Sequence, residues 1–314
     1  MIYEYASAQP ASVELPASVR SEGRAMLQAV MEDARRLEPA IEVLVADDLA
    51  ALPTGDGVND FALVIAPEFD GILERCAQEA QQAGYQLLGP VPSAIRIAAD
   101  KWQLYLHWKQ RGVDTPNTWL HSSEKDVEAK RLVKHRYGAG SLGVTPWRSG
   151  DVLQEGCILQ EWIAGQVVSV ALLISPSGII TPLLPAYQHM SNDEAFRYLG
   201  GAFIGGKRDA ERVIASACQA VAGLPGLQGY VGVDAILTEC QVVAIEINPR
   251  LTTSYLGLRK ATEQNLVQCM LEVVQSDKQV PIQWRDRDIV WTSESCCASL
   301  SSSKDPVGYC VKRS

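Results

Sequence analysis

Long apolar runs and targeting signals are missing from this sequence of 314 residues. Its longest apolar stretches, such as residues 167–174, fall far short of the roughly 20 residues that a membrane-spanning helix needs. The first residues include Glu4 and carry no basic segment followed by an apolar core, which argues against a secretory signal. We therefore expect a cytoplasmic protein that does not enter a membrane.

Basic residues, histidines and paired cysteines are also scarce. Lys and Arg number 28 against 37 Asp and Glu, a net charge of -9, so we expect no nucleic-acid partner. There are four histidines and eight cysteines, and no Cys-x-x-Cys pair. This pattern argues against a zinc site and against a disulfide framework. It favours cysteines that act as small buried hydrophobes in a reducing compartment.

The first hundred residues alternate strand and helix patterns. Two β-branched apolar runs, at residues 41–46 and 61–66, are typical of strands buried on both faces. Amphipathic segments at residues 19–37 and 71–83 predict helices. The alternation predicts a parallel sheet with crossover helices. We place this N-terminal domain at residues 1–99.

The pattern changes after this domain. A predicted helix at residues 101–111 leads into short strands around a glycine-rich loop, which indicates a small α+β unit at residues 100–166. The third unit covers residues 167–314 and contains two predicted antiparallel hairpins. These hairpins pair residues 167–175 with 178–182 and residues 231–237 with 242–247. The Ser- and Cys-rich segment at residues 293–303 has no periodicity and is predicted to be a loop.

A lysine and a glycine-rich loop form the first candidate site. Lys134 ends an apolar strand, and the loop at residues 138–143 follows it. Glycines let backbone N–H groups turn toward an anion, and the lysine adds a positive charge. The spacing does not fit a P-loop, and an ordinary glycine-rich hairpin has the same pattern.

The second candidate site consists of oxygen-bearing side chains on paired strands. Pairing of the last hairpin brings Asp234 and Glu246 together, and Asn248 shares a strand face with Glu246 because side chains alternate. Such hard oxygen ligands suit Mg²⁺ that is also held by nucleotide phosphates. Burying these groups with nothing to bind would cost several kcal/mol. The alternative is that all three face solvent on an edge hairpin.

In their order and spacing, these motifs resemble the ATP-grasp ligases from about residue 87 to residue 271. Further marks are Asp100 with Lys101 at the start of a helix, and the segment at residues 160–165. The resemblance implies an α/β and α+β fold of ATP-grasp architecture. That architecture has an N-terminal parallel βαβ domain, a small lid subdomain and a C-terminal antiparallel-sheet core.

The resemblance also implies that ATP and Mg²⁺ are held between two antiparallel sheets. By position, the residues assigned to ATP are Lys101, Lys134, Gly140, Ser141, Gln160, Glu161 and the backbone of Ile163. The residues assigned to the metal are Asp234, Glu246 and Asn248, and Arg250 is assigned to the transferred phosphoryl group. Many members carry a ribose-binding acid where this chain has Val167, and Gln166 is a candidate substitute.

A narrower similarity is carried by four short segments, at residues 4–7, 61–73, 88–90 and 248–255. They resemble the ATP-grasp group that contains tyramine-glutamate ligase of methanofuran synthesis. The resemblance implies two small-molecule substrates, a carboxylate and an amine. The carboxylate would be glutamate, activated as an acyl phosphate, and the amine would be tyramine or tyrosine.

The two implied substrates require further side chains to bind them. A dicarboxylic substrate needs cations beyond those on ATP, which Arg250 with Arg259 or Arg197 would supply. An aromatic amine needs an apolar slot with a polar end, for which Tyr198 and Tyr255 are candidates.

Two other functions keep the same nucleotide site. An ATP- and bicarbonate-dependent carboxylase would activate bicarbonate in place of a larger carboxylate. A nucleotide-binding regulatory module would bind ATP without turnover, although the full set of lysines and acidic side chains argues against it. Whether the chain forms a homo-oligomer is left open by the sequence.

Overall fold

The structure is a computed structural model, and it describes most of the chain. The described residues are 1–121, 130–138, 143–148, 150–191, 193, 196–285 and 288–293, with the backbone of 296–297. Gly140, Ser141 and most of the Ser- and Cys-rich segment lie outside the described residues.

Four parallel strands with flanking helices form the first sheet. Its elements are β1 (Ile2–Glu4), α1 (Tyr5–Ala8), α2 (Ala17–Ala34), β2 (Val45–Ala46), β3 (Phe61–Ile65), α3 (Ile72–Gln82) and β4 (Gln86–Leu87). The strand order is β2, β1, β3, β4, and every pairing is parallel. The predicted parallel sheet with crossover helices is confirmed.

The edge strand β2 is shorter than the sequence predicts. The apolar pattern predicts a strand over residues 41–46, but only Val45 and Ala46 pair with β1. Ile41 and Leu44 are 49% and 38% exposed, because this edge strand buries only its end. Strand β1 is not evident in the sequence, since three residues are too few to show a period.

A small antiparallel sheet follows two helices. Its elements are α4 (Pro92–Ala99), α5 (Lys101–Gln110), β5 (Thr118–Trp119), β6 (Arg131–His135), β7 (Thr145–Pro146) and β8 (Cys157–Glu161), and the strand order is β5, β8, β6, β7. Helix α5 begins where predicted because Asp100 caps it, accepting hydrogen bonds from the backbone N–H groups of Trp102 and Gln103. The carboxylate of Asp100 also accepts two hydrogen bonds from Arg136, at 2.7 and 2.6 Å. This contact joins the helix to the end of β6.

The third sheet has eight strands, and all its pairings are antiparallel. Its elements are β9 (Gln166–Ile174), β10 (Ile180–Pro182), β11 (Ala186–Met190), β12 (Tyr198–Phe203), α6 (Lys207–Val221), β13 (Gly229–Leu237), β14 (Val242–Asn248), α7 (Tyr255–Ala261), α8 (Leu266–Ser276), β15 (Val290–Thr292) and β16 (Cys296–Cys297). The strand order is β14, β13, β9, β11, β12, β15, β16, with β10 paired to β9. Both predicted hairpins are confirmed, as β9 with β10 and β13 with β14.

Helices cover both faces of this large sheet. One apolar core lies under α6 and includes Val213 and Ala244. The other lies between the sheet and helices α2, α7 and α8, and includes Leu173 and Met270. Within the part of the chain that the structure describes, no helix has the length and apolarity needed to cross a bilayer.

The β13–β14 hairpin contains a β-bulge beside its acidic pair. Asp234 lies opposite Glu246 in the strand register. The next pair is Ala235 with Ala244, which leaves Ile245 as an extra residue in β14. Ile245 and Glu246 consequently face the same cleft, although neighbouring residues of a regular strand point to opposite faces.

A buried ion pair joins helix α2 to helix α7. Asp33 is 3% exposed and accepts hydrogen bonds from Arg259 at 2.8 and 2.7 Å, and from the hydroxyl of Tyr255 at 2.6 Å. Glu32 lies 3.1 Å from Arg259 at the more exposed end of the same contact. These bonds fix how the N-terminal helix packs on the large sheet.

Candidate active site

A cleft separates the small sheet from the β13–β14 hairpin of the large sheet. Strands β6 and β8 line one side of it, and the bulged hairpin lines the other. The predicted site residues that line this cleft are Lys101, Lys134, Gln160, Glu161, Ile163, Asp234 and Glu246. Asn248 and Arg250 line a second cavity that shares Asp234 and Glu246 with the cleft. The structure thus brings together all the predicted site residues that it describes.

Lys101 reaches the acidic hairpin from the first turn of α5. Its Nζ lies 3.2 Å from Oε2 of Glu246 and donates a hydrogen bond to the backbone carbonyl of Gly138 at 2.6 Å. The side chain of Lys101 is 9% exposed, so its positive charge is held at the inner end of the cleft.

Lys134 lies deep in the cleft, on β6. Its Nζ donates a hydrogen bond to Oε1 of Gln160 at 2.7 Å. Burial lowers the pKa of Lys134 to about 8, although the carboxylates of Glu246 and Asp234 act in the opposite direction. An anionic ligand would stabilise the charged form of this lysine, which suits Lys134 to bind phosphate.

Hydrogen bonds fix the side chains at the end of β8, where the small sheet leads into the large one. The amide of Gln160 is engaged on both sides, because its Nε2 also donates to the hydroxyl of Thr118 at 3.3 Å. Oε2 of Glu161 accepts hydrogen bonds from the backbone and the side-chain amide of Asn117, at 3.2 and 2.9 Å. Ile163, two residues after Glu161, also lines the cleft.

The acidic residues of the hairpin are half-buried and close to one another. The side-chain amide of Asn248 donates to Oδ2 of Asp234 at 2.9 Å, and that of Gln188 donates to Oδ1 at the same distance. Burial and the nearby carboxylate of Glu246 raise the pKa of Asp234 to about 7. Burial opposes ionisation of Glu246 as well, but Lys101 and Lys134 outweigh it and hold its pKa below the usual value.

This donor set fits a hard divalent cation. Two facing carboxylates and an amide are the ligand types that Mg²⁺ prefers, and a cation between the carboxylates would relieve the repulsion that raises the pKa of Asp234. In the described parts of the chain, no group of three or more His, Cys, Asp or Glu residues forms a metal site. Nucleotide phosphates and water would therefore have to supply the remaining ligands.

The second cavity has a volume of about 1110 Å³ and meets the cleft at Asp234 and Glu246. Its wall includes Arg197, Tyr198 and Arg250. Burial raises the pKa of Tyr198 to about 12, so this phenol is neutral at physiological pH. The cavity combines cationic and aromatic side chains at the point where the cleft ends.

Several expected residues lie elsewhere. Tyr255 and Arg259 do not line the second cavity, because both bind Asp33 in the contact between α2 and α7, and their predicted substrate role is wrong. Gln166 is exposed and does not line the cleft, whereas Val167 does.

The fold also brings to the cleft residues whose contacts there follow from no local sequence pattern. Gln188 lies on β11, which neighbours β9 in the large sheet. Phe196 packs against Trp162 with ring centroids 5.6 Å apart. No local motif marks either residue, since each meets the site only through tertiary packing.

Comparison with protein families agrees with this arrangement. A family profile described as an ATP-grasp domain matches residues 98–254, which are 157 of the 314 residues. A second profile, described as a pre ATP-grasp 3 domain, matches residues 58–95. The two matches together cover the cleft, its hairpin and part of the parallel sheet.

Two relatives with the same enzyme name match this chain. The tyramine–L-glutamate ligase of Methanocaldococcus fervens is 32% identical over 213 residues, which are 68% of this chain and 65% of that enzyme. The enzyme of that name from Methanocaldococcus jannaschii is 30% identical over 213 residues, 68% of this chain and 62% of that enzyme. The matches thus span less than two thirds of either relative. A crystal structure of a putative ATP-grasp superfamily protein from Archaeoglobus fulgidus has a TM-score of 0.69 and 26% identity, with 87% of both chains covered.

Proposed function

Because the chain belongs to the ATP-grasp family, we propose that it is an ATP-dependent ligase that joins a carboxylate to an amine. The observation that carries this proposal is the meeting of two cavities at Asp234 and Glu246. One cavity has the lysines and linker segment expected of a nucleotide site, and the other has room for a second reactant. A phosphoryl group at their junction would be in contact with both.

The nucleotide would lie in the cleft with its phosphates toward the acidic hairpin. Lys101 and Lys134 would neutralise phosphate charge, and the backbone near Ile163 would contact the base. A nucleotide bound against the largely apolar walls would exclude water from the cleft, which would strengthen these charge interactions.

Asp234, Glu246 and Asn248 would hold Mg²⁺ at the junction of the two cavities. A metal bound there supplies charge neutralisation to the transferring phosphoryl group. Gln188 and Asn248 orient the carboxylate of Asp234 through the hydrogen bonds to its two oxygens.

The reaction proceeds in two steps in this proposal. An oxygen of the substrate carboxylate attacks the γ-phosphorus of ATP, and the bond to the β-γ bridging oxygen breaks, giving ADP and an acyl phosphate. The amine nitrogen then attacks the acyl carbon, phosphate leaves, and the nitrogen loses a proton, giving the amide. Arg250 lines the second cavity and would bind the transferred group.

We infer that the carboxylate is glutamate and that the amine is tyramine or tyrosine. The names of the two relatives support this inference, as do the chemical properties of the second cavity. Arg197 and Arg250 offer cations for a second carboxylate, and Tyr198 and Leu199 offer a surface for an aromatic ring. Bicarbonate, the substrate of the alternative carboxylase, would occupy only a small fraction of a cavity of about 1110 Å³.

A substrate matrix tests the proposed function. ATP, Mg²⁺, a panel of amino acids and a panel of amines are combined, ADP release is measured, and products are identified by mass. We expect the fastest ADP release with glutamate and tyramine or tyrosine, and a product with the mass of the amide. ADP release that requires bicarbonate would identify a carboxylase instead, and ADP release with another carboxylate would replace the substrate but keep the ligase.

A second prediction concerns the phosphate-binding role of Lys134. Replacing Lys134 with methionine keeps the apolar stem and removes the charge, so ATP binding should weaken by about 10-fold or more, while adenosine binding changes little. Calorimetric titration of both ligands measures the difference. The control is Lys109→Met on the exposed face of α5, which should leave both affinities unchanged. Equal losses for ATP and adenosine would indicate that Lys134 only supports the fold.

A further inference from the structure

One segment remains without a role in the proposed reaction. Residues 66–71 follow strand β3 of the parallel sheet and lead into helix α3. Asp70 and Gly71 both adopt the left-handed conformation, with φ values of 55° and 64°. Two such residues in succession turn the chain sharply, and conformations of this kind are retained where surrounding structure requires them.

Glu68 lies in this turn and contacts Arg250, which lines the second cavity. Oε1 of Glu68 lies 2.8 Å from Nε of Arg250, and the two side chains are 4% and 15% exposed. Glu68 comes from the N-terminal parallel sheet, whereas Arg250 directly follows the acidic hairpin of the large sheet. The contact therefore connects two units of the fold at the edge of the candidate active site.

Arg250 makes one further hydrogen bond, and its side chain lines the second cavity and also a smaller cavity beside helix α2. Nη1 donates to the backbone carbonyl of Leu251 at 3.1 Å. For Nη2, the described residues supply no hydrogen-bond acceptor, and the side chain lines the second cavity. The ion pair at Nε and the hydrogen bond from Nη1 together restrict how this planar guanidinium can rotate.

The surroundings also favour a carboxylate next to this arginine. Arg250 is a largely buried cation, and the carboxylate of Glu68 is in direct contact with it. Without Glu68, a buried cation would lack its nearest compensating charge, and the guanidinium would be free to reorient toward Glu246.

We propose that Glu68 is a positioning residue that orients Arg250 toward the group transferred between the two cavities. This inference rests on the proposed ligase function and adds a contribution from the N-terminal unit to it. It also gives a physical reason for the acidic residue in the segment at residues 66–71. Glu68 acts through Arg250 and does not touch the substrates itself.

Kinetics of four variants test this proposal. Glu68→Gln keeps the shape of the side chain but removes its charge, so kcat for ADP release should fall about 10- to 100-fold while the Kd for ATP stays within about twofold. Glu68→Asp keeps the charge on a shorter side chain and should restore part of kcat. Arg250→Met should lose at least as much activity as Glu68→Gln. Adding Glu68→Gln to Arg250→Met should cause no further loss, because the residue it positions is already absent.

The matched control is Glu74→Gln. Glu74 lies in the first turn of α3 and accepts a hydrogen bond from Arg96 at 2.8 Å. Neither residue lines the cleft or the second cavity, and the side chain of Arg96 is 70% exposed. The Glu74→Gln variant should retain the kcat and the thermal midpoint of the wild type. Each assay uses the carboxylate and amine that the wild type turns over fastest in the substrate matrix.

Two outcomes would overturn the positioning role. One is a folded Glu68→Gln variant with the kcat of the wild type. The other is that Glu68→Gln lowers kcat by the same factor in the wild type and in the Arg250→Met variant. A residue with a purely structural role would give this result. If Glu68→Gln does not fold, wild-type kcat in a folded Arg250→Met variant overturns it, because the residue that Glu68 is proposed to position would then have no role in turnover. Absence of ADP release by the wild type with every substrate tested would instead overturn the ligase proposal.

Discussion

Replacing Glu246 with glutamine is expected to abolish turnover while the protein stays folded. Glutamine has the same size, but it is neutral and a weaker ligand for a hard cation, and it no longer attracts Lys101, which lies 3.2 Å from the carboxylate. Both cavities share this residue, so its loss affects nucleotide and acceptor together. We expect kcat/KM for ADP release to fall by about 10³-fold or more, a loss typical of removing one electrostatic contact to the transition state.

A matched control lies on the same hairpin. Glu239 is exposed in the turn between β13 and β14, and Glu239→Gln should keep wild-type activity. Circular dichroism and the thermal midpoint establish whether each variant is folded. If a folded Glu246→Gln variant retained wild-type turnover with Mg²⁺, the assignment of this carboxylate to the metal would be wrong.

The largest expected loss of stability follows replacement of Asp33 with alanine. Asp33 is 3% exposed and binds both Arg259 and Tyr255, so its removal leaves a buried cation and a buried hydroxyl without their main acceptor. Breaking a buried pair by removing one partner typically costs about 3–5 kcal/mol. The free energy of unfolding from urea denaturation should fall by that amount.

Glu32 provides the comparison, since it contacts the same arginine from the exposed side. Its side chain is 46% exposed and lies 3.1 Å from Nη2 of Arg259. An exposed ion pair contributes about 1 kcal/mol or less, so Glu32→Gln should leave the free energy of unfolding nearly unchanged. Similar losses in the two variants would show that burial does not determine the strength of this contact.

The acidic pair and the start of α5 could be predicted because their signals are local. Strand alternation and a short polar turn are enough to bring Asp234 opposite Glu246. An aspartate before a helix is enough to cap it, and Lys101 follows in the first turn. In both cases a few neighbouring residues determine the geometry.

Other parts of the site depend on contacts between distant segments. Glu68 and Arg250 are separated by 182 positions in the chain, and no pattern near either residue indicates the other. The same applies to Arg259, whose sequence context fits a substrate cation equally well, and which instead binds Asp33. Such pairs are determined by how the units pack, so a single sequence does not reveal them.

Because of the bulge at Ile245, the side chains that line the cleft are not tied to the pairing register of β13 and β14, as they would be in a regular strand. It adds one apolar side chain to the cleft while Asp234 and Glu246 remain opposite each other. A change of side chain at position 245 therefore alters the wall of the cleft without shifting the register of the carboxylates. This gives the hairpin a position at which the shape of the cleft can diverge in evolution, or be redesigned, independently of the two carboxylates.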